Sequence, residues 1–577
     1  MTPPEAPQLD LGPLCEVYEE ALAQWEADDG TRRLLSADAR LWTAADEANW
    51  LGWLDAPQTA RPHLSLWQDW SRQACSDGIR DVLILGMGGS SLCPDVLART
   101  LGSAAGFPRM HVLDSTVPAE IRSQKAKLDP RETLFVVPSK SGSTIEPEML
   151  KRSFHALTRE AVGSADAGRH FVAITDPGSP LEAAARSEGF RHVAHGVSSI
   201  GGRFSALSAF GLLPAALLGI DLSAWLARAE SMQQACASPA AANNPGVSLG
   251  IALGALAREG RDKLTLVLSP AIAAFGSWLE QLIAESTGKQ GRGILPVDGE
   301  ALGSPDHYGE DRFFVYLRLE EAPDPLQDER VAALVEAGQP VLRIHVRERY
   351  DLAAEFYRWE IATAVAGSLL GVNPFDQPDV ESAKVAAREL MTGYAETGHL
   401  PEIDPKVAQD GARLYADEGL DIGPDVTTTL AHHLARVGTG DYFAINAFIE
   451  RNTAHATALS RLREAVRTTC KVATTVGFGP RFLHSTGQLH KGGPTAGVFL
   501  EITANDPKRM AIPGESFDFG VLNTAQAEGD FRVLCDRGRR VLHVALDPGA
   551  GFNLEQLIHS TGRALASLPA PSKRNTA

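Results

Sequence analysis

Short apolar runs that end in Gly, Ser or Asp and are followed by helical periodicity recur along this chain, and they constrain its fold more than any other feature. Continuous apolar runs are typical of strands buried on both faces, and their alternation with helices predicts parallel sheets covered by helices. Ligands of such sheets bind beyond the carboxyl ends of the strands. The first block of runs occupies 82–85, 111–113, 134–137 and 171–174.

Two further blocks follow the same pattern. The second has strand candidates at 264–268, 294–297, 313–317 and 341–346, with a helix at 275–286. The third has them at 442–448, 472–476, 498–502 and 541–546. We therefore predict an α/β fold with two doubly wound parallel-sheet domains and a C-terminal α/β domain.

The length of 577 residues requires several domains. We expect a Trp-rich helical cap at 1–75, a first sheet domain at 76–240, a second at 241–396, a linker at 397–426, and the C-terminal domain at 427–577.

Composition excludes several function classes. The formal charge of −18 argues against a nucleic-acid or anionic-membrane surface. The six cysteines form no CxxC pair, which is typical of reduced thiols. The first ten residues lack a basic-then-apolar block, so we expect no signal peptide and a cytoplasmic protein. His432 and His433 are adjacent and point different ways, and no HExxH occurs, so we expect no metal site.

Two strand exits carry the residues of an anion site. Gly88, Gly89 and Ser90 follow the first run, where glycines permit close approach of a ligand to the backbone. A tight turn without a ligand would have the same composition.

The third run is followed by a loop with four hydroxyls and a lysine, comprising Ser139, Lys140, Ser141, Ser143 and Thr144. An ordinary helix cap needs one hydroxyl, so this loop favours phosphate binding. The Walker spacing is absent, and a monophosphate fits better than a nucleotide.

These two loops together resemble the sugar isomerase (SIS) fold. The segments GGRFS at 201–205, ESTGK at 285–289, and NPFDQP at 373–378 with Val380, Glu381 and Lys384 resemble the phosphoglucose isomerase family. The order of these motifs also matches, over about residues 40–395. The resemblance implies interconversion of glucose 6-phosphate and fructose 6-phosphate through a cis-enediol, without a cofactor or metal, by a homodimer with shared active sites.

The resemblance also assigns roles to residues. Glu285 takes the place of the family's base, which moves a proton between C2 and C1. Arg203 takes the place of the arginine that stabilises the enediolate, and Lys384 that of a lysine used in ring opening. The ring-opening histidine, which the family draws from the partner subunit, is predicted to be His307, with His484 as its rival.

The third block extends beyond common members of that family. Its run at 479–494 resembles the tail of bacterial proteins that fuse transaldolase to phosphoglucose isomerase. Five donors in this run can hold a phosphate or seal a domain interface, namely Arg481, His484, Ser485, His490 and Lys491.

Two other functions fit parts of the pattern. A sugar-phosphate sensor needs the serine-rich loop but not Glu285, Arg203 and Lys384 together, and it usually carries a basic DNA-binding segment. An aldolase or transaldolase needs a Schiff-base lysine on a barrel strand, and the pattern gives no (β/α)₈ count. Use of mannose 6-phosphate stays open, because an enediol can be reprotonated on either face.

Overall fold

The computed structural model describes residues 4–547 and 549–568, and these form three β-sheets with helices packed around them. The N-terminal part is mostly helical and its elements are β1 (Gln8–Asp10), α1 (Cys15–Ala27), α2 (Gly30–Leu35), α3 (Ala56–Ala60) and α4 (Leu64–Ser76). Its Trp53 is fully buried and packs on Phe204 and Phe375, with ring centroids 5.1 and 6.2 Å away. The N-terminal part thereby supports two turns, 201–205 and 373–378, that reach the candidate site.

The first sheet follows directly from the first block of apolar runs. Its elements are β2 (Asp81–Leu85), α5 (Leu92–Thr100), β3 (Arg109–Leu113), α6 (Pro118–Lys127), β4 (Thr133–Pro138), α7 (Ile145–Val162), β5 (Phe171–Thr175), α8 (Pro180–Ser187) and β6 (His192–His195). All five strands are parallel, in the order β3-β2-β4-β5-β6. β3 lies on one side of β2 and β4 on the other, so the connections from β2 and β3 run to opposite sides of the sheet. A crevice therefore opens between the loops that follow β2 and β4.

Three helices join the first sheet to the second: α9 (Ala209–Leu217), α10 (Leu222–Cys236) and α11 (Pro245–Arg258). The second sheet and its helices comprise β7 (Lys263–Leu268), α12 (Phe275–Thr287), β8 (Leu295–Val297), β9 (Arg312–Leu319), α13 (Pro325–Glu336), β10 (Val341–Val346), α14 (Leu352–Leu370) and α15 (Pro378–Thr397). The strand order is β1-β10-β9-β7-β8, in which β1 is antiparallel and the others are parallel. The segment predicted as a helical cap thus also contributes an edge strand.

The third sheet is built from the C-terminal third of the chain. Its elements are β11 (Val407–Gln409), β12 (Ala412–Ala416), α16 (Val426–Ala435), β13 (Tyr442–Phe448), α17 (Thr453–Cys470), β14 (Ala473–Phe478), α18 (Gly487–Gly492), β15 (Gly497–Ala504), α19 (Phe519–Asp536), β16 (Arg540–Leu546) and α20 (Leu554–Ser567). The order is β11-β12-β16-β15-β13-β14, with β13 to β16 parallel.

The segment 397–426, which we predicted to be a linker, holds two strands of this sheet. β11 and β12 pair with each other, and β12 pairs antiparallel with β16. They are therefore part of the third folding unit. The parallel core of the third sheet repeats the strand order of the second, since β14-β13-β15-β16 corresponds to β8-β7-β9-β10.

The predicted α/β class with parallel sheets is confirmed. We propose that the three sheets mark three domains, with the third beginning before β11. Among the described residues, no helix combines the length and the apolar character needed to cross a bilayer.

Candidate active site

A cavity of about 430 Å³ opens between the loops after β2 and β4, at the crevice expected from the strand order. The Gly201–Arg203 turn, the end of α12, the start of α15 and one loop of the third domain close its other sides. The residues of the sequence-predicted site that line it are Gly88, Gly89, Ser90, Ser139, Lys140, Ser141, Thr144, Arg203, Glu285 and Lys384.

Close packing of the loop after β2 explains its glycines. Gly88 has a φ of +54°, and a Cβ on Gly89 would lie 1.9 Å from the carbonyl oxygen of Gly202. A side chain at position 89 is therefore sterically excluded. The contact holds the turn that carries Arg203 directly against the loop after β2.

The loop after β4 presents hydroxyl groups at the first turn of α7. The Ser141 and Ser143 hydroxyls lie 2.9 Å apart, and Ser143 and Thr144 immediately precede the helix. The helix N-terminus adds unpaired N–H groups that favour an anion. Ser143 lies beside the main cavity, in an adjoining one of about 270 Å³ that is also lined by Lys384.

Lys140 in the same loop is turned away from these hydroxyls. Its ammonium pairs with Asp176 and donates to the carbonyl oxygen of Ser198 at 3.0 Å. It also lies 5.9 Å from the centroid of the Trp50 ring. This geometry favours a role in holding the cavity wall.

Arg203 and Glu285 lie together in the cavity floor. One guanidinium nitrogen of Arg203 is 3.1 Å from a carboxylate oxygen of Glu285. Both side chains are buried, with 2% and 9% of each residue exposed. Glu285 lies in the last turn of α12, which directs its side chain into the cavity.

The Arg203 guanidinium is held from four more directions. Nε donates to the Ser286 hydroxyl at 2.8 Å, and Nη1 to the Gln377 side chain at 2.9 Å. Nη2 donates to the carbonyl oxygens of Pro374 and Asp376 at 2.7 and 2.8 Å. Burial lowers the pKa of Arg203, while Glu285 acts in the opposite direction. The positive charge is therefore fixed in position.

Lys289 secures the turn that holds Arg203. Its ammonium lies 2.7 Å from a carboxylate oxygen of Asp376 and also donates to the carbonyl oxygen of Asn373. Burial, together with the nearby Arg203, lowers the pKa of Lys289 to about 7.

His484 enters this cavity from the third domain of the same chain. It follows β14, and its Nε2 lies 2.9 Å from Oε1 of Glu146, the second residue of α7. Glu146 is buried and its Oε1 also accepts from the Gln526 side chain at 2.8 Å. Burial acts to raise the pKa of Glu146, but His484 outweighs that effect and the pKa is below its ordinary value. Glu146 is therefore ionised beside the imidazole.

Gln281 connects Glu285 to the third domain. Its amide nitrogen donates to Oε2 of Glu285 at 3.0 Å and to the carbonyl oxygen of His484 at 2.9 Å. The spacing of four residues between Gln281 and Glu285 places both on one face of α12. That spacing, and the position of Glu146 two residues after Thr144 of the serine-rich loop, were the available sequence signals for two residues that our sequence analysis missed.

His307 does not line either cavity. It lies in the turn Pro305–His307 after β8 and packs closely against Gly303. A Cβ added to Gly303 would lie 2.7 Å from Nδ1 of His307 and 3.1 Å from Arg467. Within one chain the structure thus brings His484, and not His307, to Glu285 and Arg203. The assignment of His307 to the site stays a prediction without support from this geometry.

The other donors of the 479–494 run are buried, paired or both. Arg481 is buried and its guanidinium lies 3.2 and 2.9 Å from carboxylate oxygens of Asp95 and Asp114 in the first domain. Ser485 donates to Glu280 of α12 at 3.3 Å, whereas Lys491 pairs with Asp530 within the third domain and His490 is 1% exposed. The geometry favours sealing of the interface over phosphate binding for Arg481 and Ser485.

No group of three His, Cys, Asp or Glu side chains within residues 4–547 and 549–568 is arranged to hold a metal ion. The chemistry available in the cavity is acid–base catalysis and anion stabilisation by the residues described above.

Comparison with known proteins assigns the chain to a family. Residues 67–295 match the family model described as phosphoglucose isomerase. A glucose-6-phosphate isomerase of Thermus thermophilus is 31% identical over 411 residues, which are 63% of this chain and 94% of the relative. The chain belongs to the phosphoglucose isomerase family. The predicted enzyme class, an aldose–ketose isomerase, is thereby confirmed at the level of the family.

Other relatives support the assignment of this chain to the phosphoglucose isomerase family. A glucose-6-phosphate isomerase of Rubrobacter xylanophilus is 30% identical over 59% of this chain and 90% of its own length. The crystal structure of a hypothetical protein of Thermus thermophilus is 29% identical, with a TM-score of 0.58, and covers 66% of this chain and 99% of that chain. The structure of a glucose-6-phosphate isomerase of Chlamydia trachomatis, 21% identical with a TM-score of 0.50, shares the fold over 58% of this chain and 74% of that chain. The relation to transaldolase fusion proteins stays a prediction.

Proposed function

We propose that this protein interconverts glucose 6-phosphate and fructose 6-phosphate through a cis-enediol. The observation that carries the proposal is the buried contact of 3.1 Å between Arg203 and Glu285, in a cavity that also opens onto the serine-rich loop. A carboxylate base and a fixed cation are the two groups that an enediolate requires.

The substrate phosphate binds at the start of α7. Ser141, Ser143 and Thr144 donate hydroxyl hydrogen bonds, and the glycines after β2 leave space for close approach. Anchoring the phosphate there fixes the carbon chain of the open sugar along the cavity towards Glu285, which reduces the entropy cost of the chemical step.

Glu285 takes the proton from C2 of the open aldose, and the electron pair moves so that the carbonyl oxygen at C1 becomes an alkoxide. Arg203 stabilises this charge. A proton passes from the hydroxyl on C2 to the oxygen on C1, so the negative charge moves to the C2 oxygen. The protonated Glu285 then returns its proton to C1, and the C2–O bond becomes the carbonyl of the ketose. Gln281 keeps the carboxylate oriented through its hydrogen bond of 3.0 Å.

His484 performs ring opening by protonating the ring oxygen while the hydroxyl on C1 loses its proton to water, and Lys384 lines the same cavity. The ionised Glu146 at 2.9 Å orients the imidazole. We assign this role to His484 because it lines the cavity of its own chain. His484→Ala should lower kcat by about 10² or more, and His307→Ala should leave it within about twofold of the wild type. The reverse result would return the role to His307.

It follows that one chain carries a complete set of catalytic groups. A homodimer with shared sites, which the family resemblance implied, would combine Glu285 and a histidine from different chains. Co-expression of Glu285→Gln and His484→Ala chains separates the two arrangements. Sites shared between subunits would regain about a quarter of the activity, because half of a random mixture is heterodimer and one of its two sites is intact. Sites within one chain would regain none.

The decisive assay couples formation of glucose 6-phosphate from fructose 6-phosphate to a dehydrogenase. We expect turnover without added metal or nucleotide and a loss of at least 10² in Glu285→Gln. Glu336→Gln, on the exposed end of α13, is the matched control. Binding of fructose 6-phosphate without turnover by the wild type would identify a sensor instead.

A further inference from the structure

A separate cavity of about 430 Å³ lies in the third domain. It is bounded by the adjacent strands β12 and β16, the end of β15, one side of α19 and the segment 401–405. None of its lining residues lines the candidate active site. Its volume equals that of the cavity we assign to a hexose phosphate, so it can hold a molecule of monosaccharide size.

The wall of this cavity continues a polar row that crosses the sheet. Register places Asn446, Glu501, His543 and Tyr415 next to one another on four adjacent strands and on one face. The opposite face carries Leu414, Leu500 and Leu542 in the apolar core of the domain. Further along the same strands, the face of the polar row carries Ala444, Phe499 and Val541 in a second apolar cluster, so the row is a polar strip within a packed face.

Keeping this row polar has a cost in stability. Asn446 is 1% exposed, and neither of its amide atoms has a hydrogen-bond partner within the described residues. A buried polar group without a partner costs about 1–3 kcal/mol. Glu501 in the middle of the row lies beside the buried Lys491–Asp530 pair, and only His543 and Tyr415 at the end of the row line the cavity.

The cavity floor is aromatic and its rim carries hydrogen-bonding groups. The His543 ring lies between Tyr415 and Phe531, with centroid distances of 5.4 and 5.6 Å and interplanar angles of 33° and 52°. The Thr503 hydroxyl lies 2.9 Å from His543 Nε2, and Asn523 and Thr524 add an amide and a hydroxyl from α19. An aromatic surface with polar groups around it suits a ring that bears hydroxyl groups.

The charges around the cavity favour a cation. Its acids are Glu402, Asp404 and Glu528, whereas its one arginine, Arg413, is already paired with Asp547 at 2.7 Å. Glu528 is half-buried, and its Oε2 has no partner among the described residues. Burial raises the pKa of Glu528 to about 7 against a weak opposing effect of Arg532. Burial also lowers the pKa of His543 to about 4, so this ring is neutral.

We propose that this cavity binds a small polyhydroxylated amine of the amino-sugar class, with the amine against Glu528 and the ring on the aromatic floor. An anionic sugar phosphate is disfavoured, since three carboxyl groups face it and the arginine is occupied. The site is distinct from the isomerase cavity, and its existence does not depend on the proposed isomerase reaction.

Isothermal titration of the full-length protein with D-glucosamine tests the proposal, with D-glucose as the probe that lacks the amine. Saturating fructose 6-phosphate is included in both titrations to occupy the isomerase cavity. We expect glucosamine to bind at least tenfold more tightly than glucose, because a charge-assisted hydrogen bond to Glu528 is lost with the amine.

Two variants locate the binding. Glu528→Gln keeps the shape and should weaken glucosamine binding at least tenfold, and Tyr415→Leu should weaken both sugars by a similar factor. Both variants should retain wild-type isomerase turnover, which shows that they are folded. Absence of glucosamine binding, equal affinity in Glu528→Gln, or displacement by fructose 6-phosphate would overturn the proposal.

Discussion

Replacing Glu146 by Gln isolates the charge behind His484. Both donors that reach Glu146, His484 Nε2 at 2.9 Å and Gln526 Nε2 at 2.8 Å, meet the same oxygen, Oε1. An amide of the same shape can keep its oxygen in that place and accept both bonds. The substitution therefore removes the negative charge and leaves the hydrogen-bond geometry in place.

The magnitude follows from the difference between two kinds of hydrogen bond. A bond to a charged partner contributes about 1.5–3 kcal/mol and a neutral one about 0.5–1.5 kcal/mol, so the difference is about 1–1.5 kcal/mol. If His484 donates a proton during ring opening, kcat should fall about tenfold in Glu146→Gln. Glu146→Ala removes the acceptor itself and leaves buried donors unpaired, so its loss should reach about 10²–10³.

Steady-state kinetics with fructose 6-phosphate measure this effect. KM should change little, because the hydroxyls that anchor the phosphate are untouched, while kcat carries the loss. Gln526→Leu, which removes the neutral donor to Glu146 and also the acceptor of the Thr116 hydroxyl but leaves the Glu146 charge in place, is the matched control and should cost less than about threefold in kcat. The reasoning is refuted if Glu146→Gln stays within twofold of the wild type, or if Gln526→Leu is equally damaging.

Three further predictions concern the cavity walls. Arg203→Lys should lower kcat/KM by about 10² or more in the same assay. A lysine cannot replace the four hydrogen bonds and the ion pair of the guanidinium. Near-normal turnover would contradict the role of Arg203. Gly89→Ala should abolish activity and lower the melting temperature, because the added Cβ would overlap the carbonyl oxygen of Gly202; an unchanged melting temperature would argue against this packing. Burial, together with the nearby Asp298, raises the pKa of Glu280 to about 8. Because the folded pKa lies above the unfolded value of about 4.5, stability should fall as pH rises between these values, by up to about 1.4 kcal/mol per pH unit. Glu280→Gln should reduce this decline in thermal unfolding at pH 6 and pH 8, and an identical decline would sink the interpretation.

Local sequence patterns predicted the buried parallel strands well. Every residue of β2, β4, β5 and β7 is buried, and most of these residues are apolar, which produces the continuous apolar runs in the sequence. These patterns did not predict short strands whose hydrogen-bonding partners are far away in the sequence. β1 has three residues and pairs with β10, more than 330 positions later. β11 and β12 are short strands at one side of the third sheet, in a segment without periodicity. Such strands are defined by their partners and carry little signal of their own.

Part of the candidate site was also predictable from local sequence. The serine-rich loop is recognisable from its density of hydroxyls, and Glu285 and Arg203 from the motifs around them. The contacts of Glu146 with His484 and Gln526 span 338 and 380 positions. Spacing along the chain cannot show which distant loop lies beside the cavity. The choice between His307 and His484 required that information.

The position of His484 on the third domain has a consequence for behaviour on dilution. A catalytic group supplied through the chain itself has a fixed effective concentration, whereas one supplied by a second molecule is lost as complexes dissociate. Specific activity should therefore stay constant down to concentrations at which any dimer has separated. If His484 has the proposed role, the third domain makes turnover a property of each molecule, independent of how many others surround it.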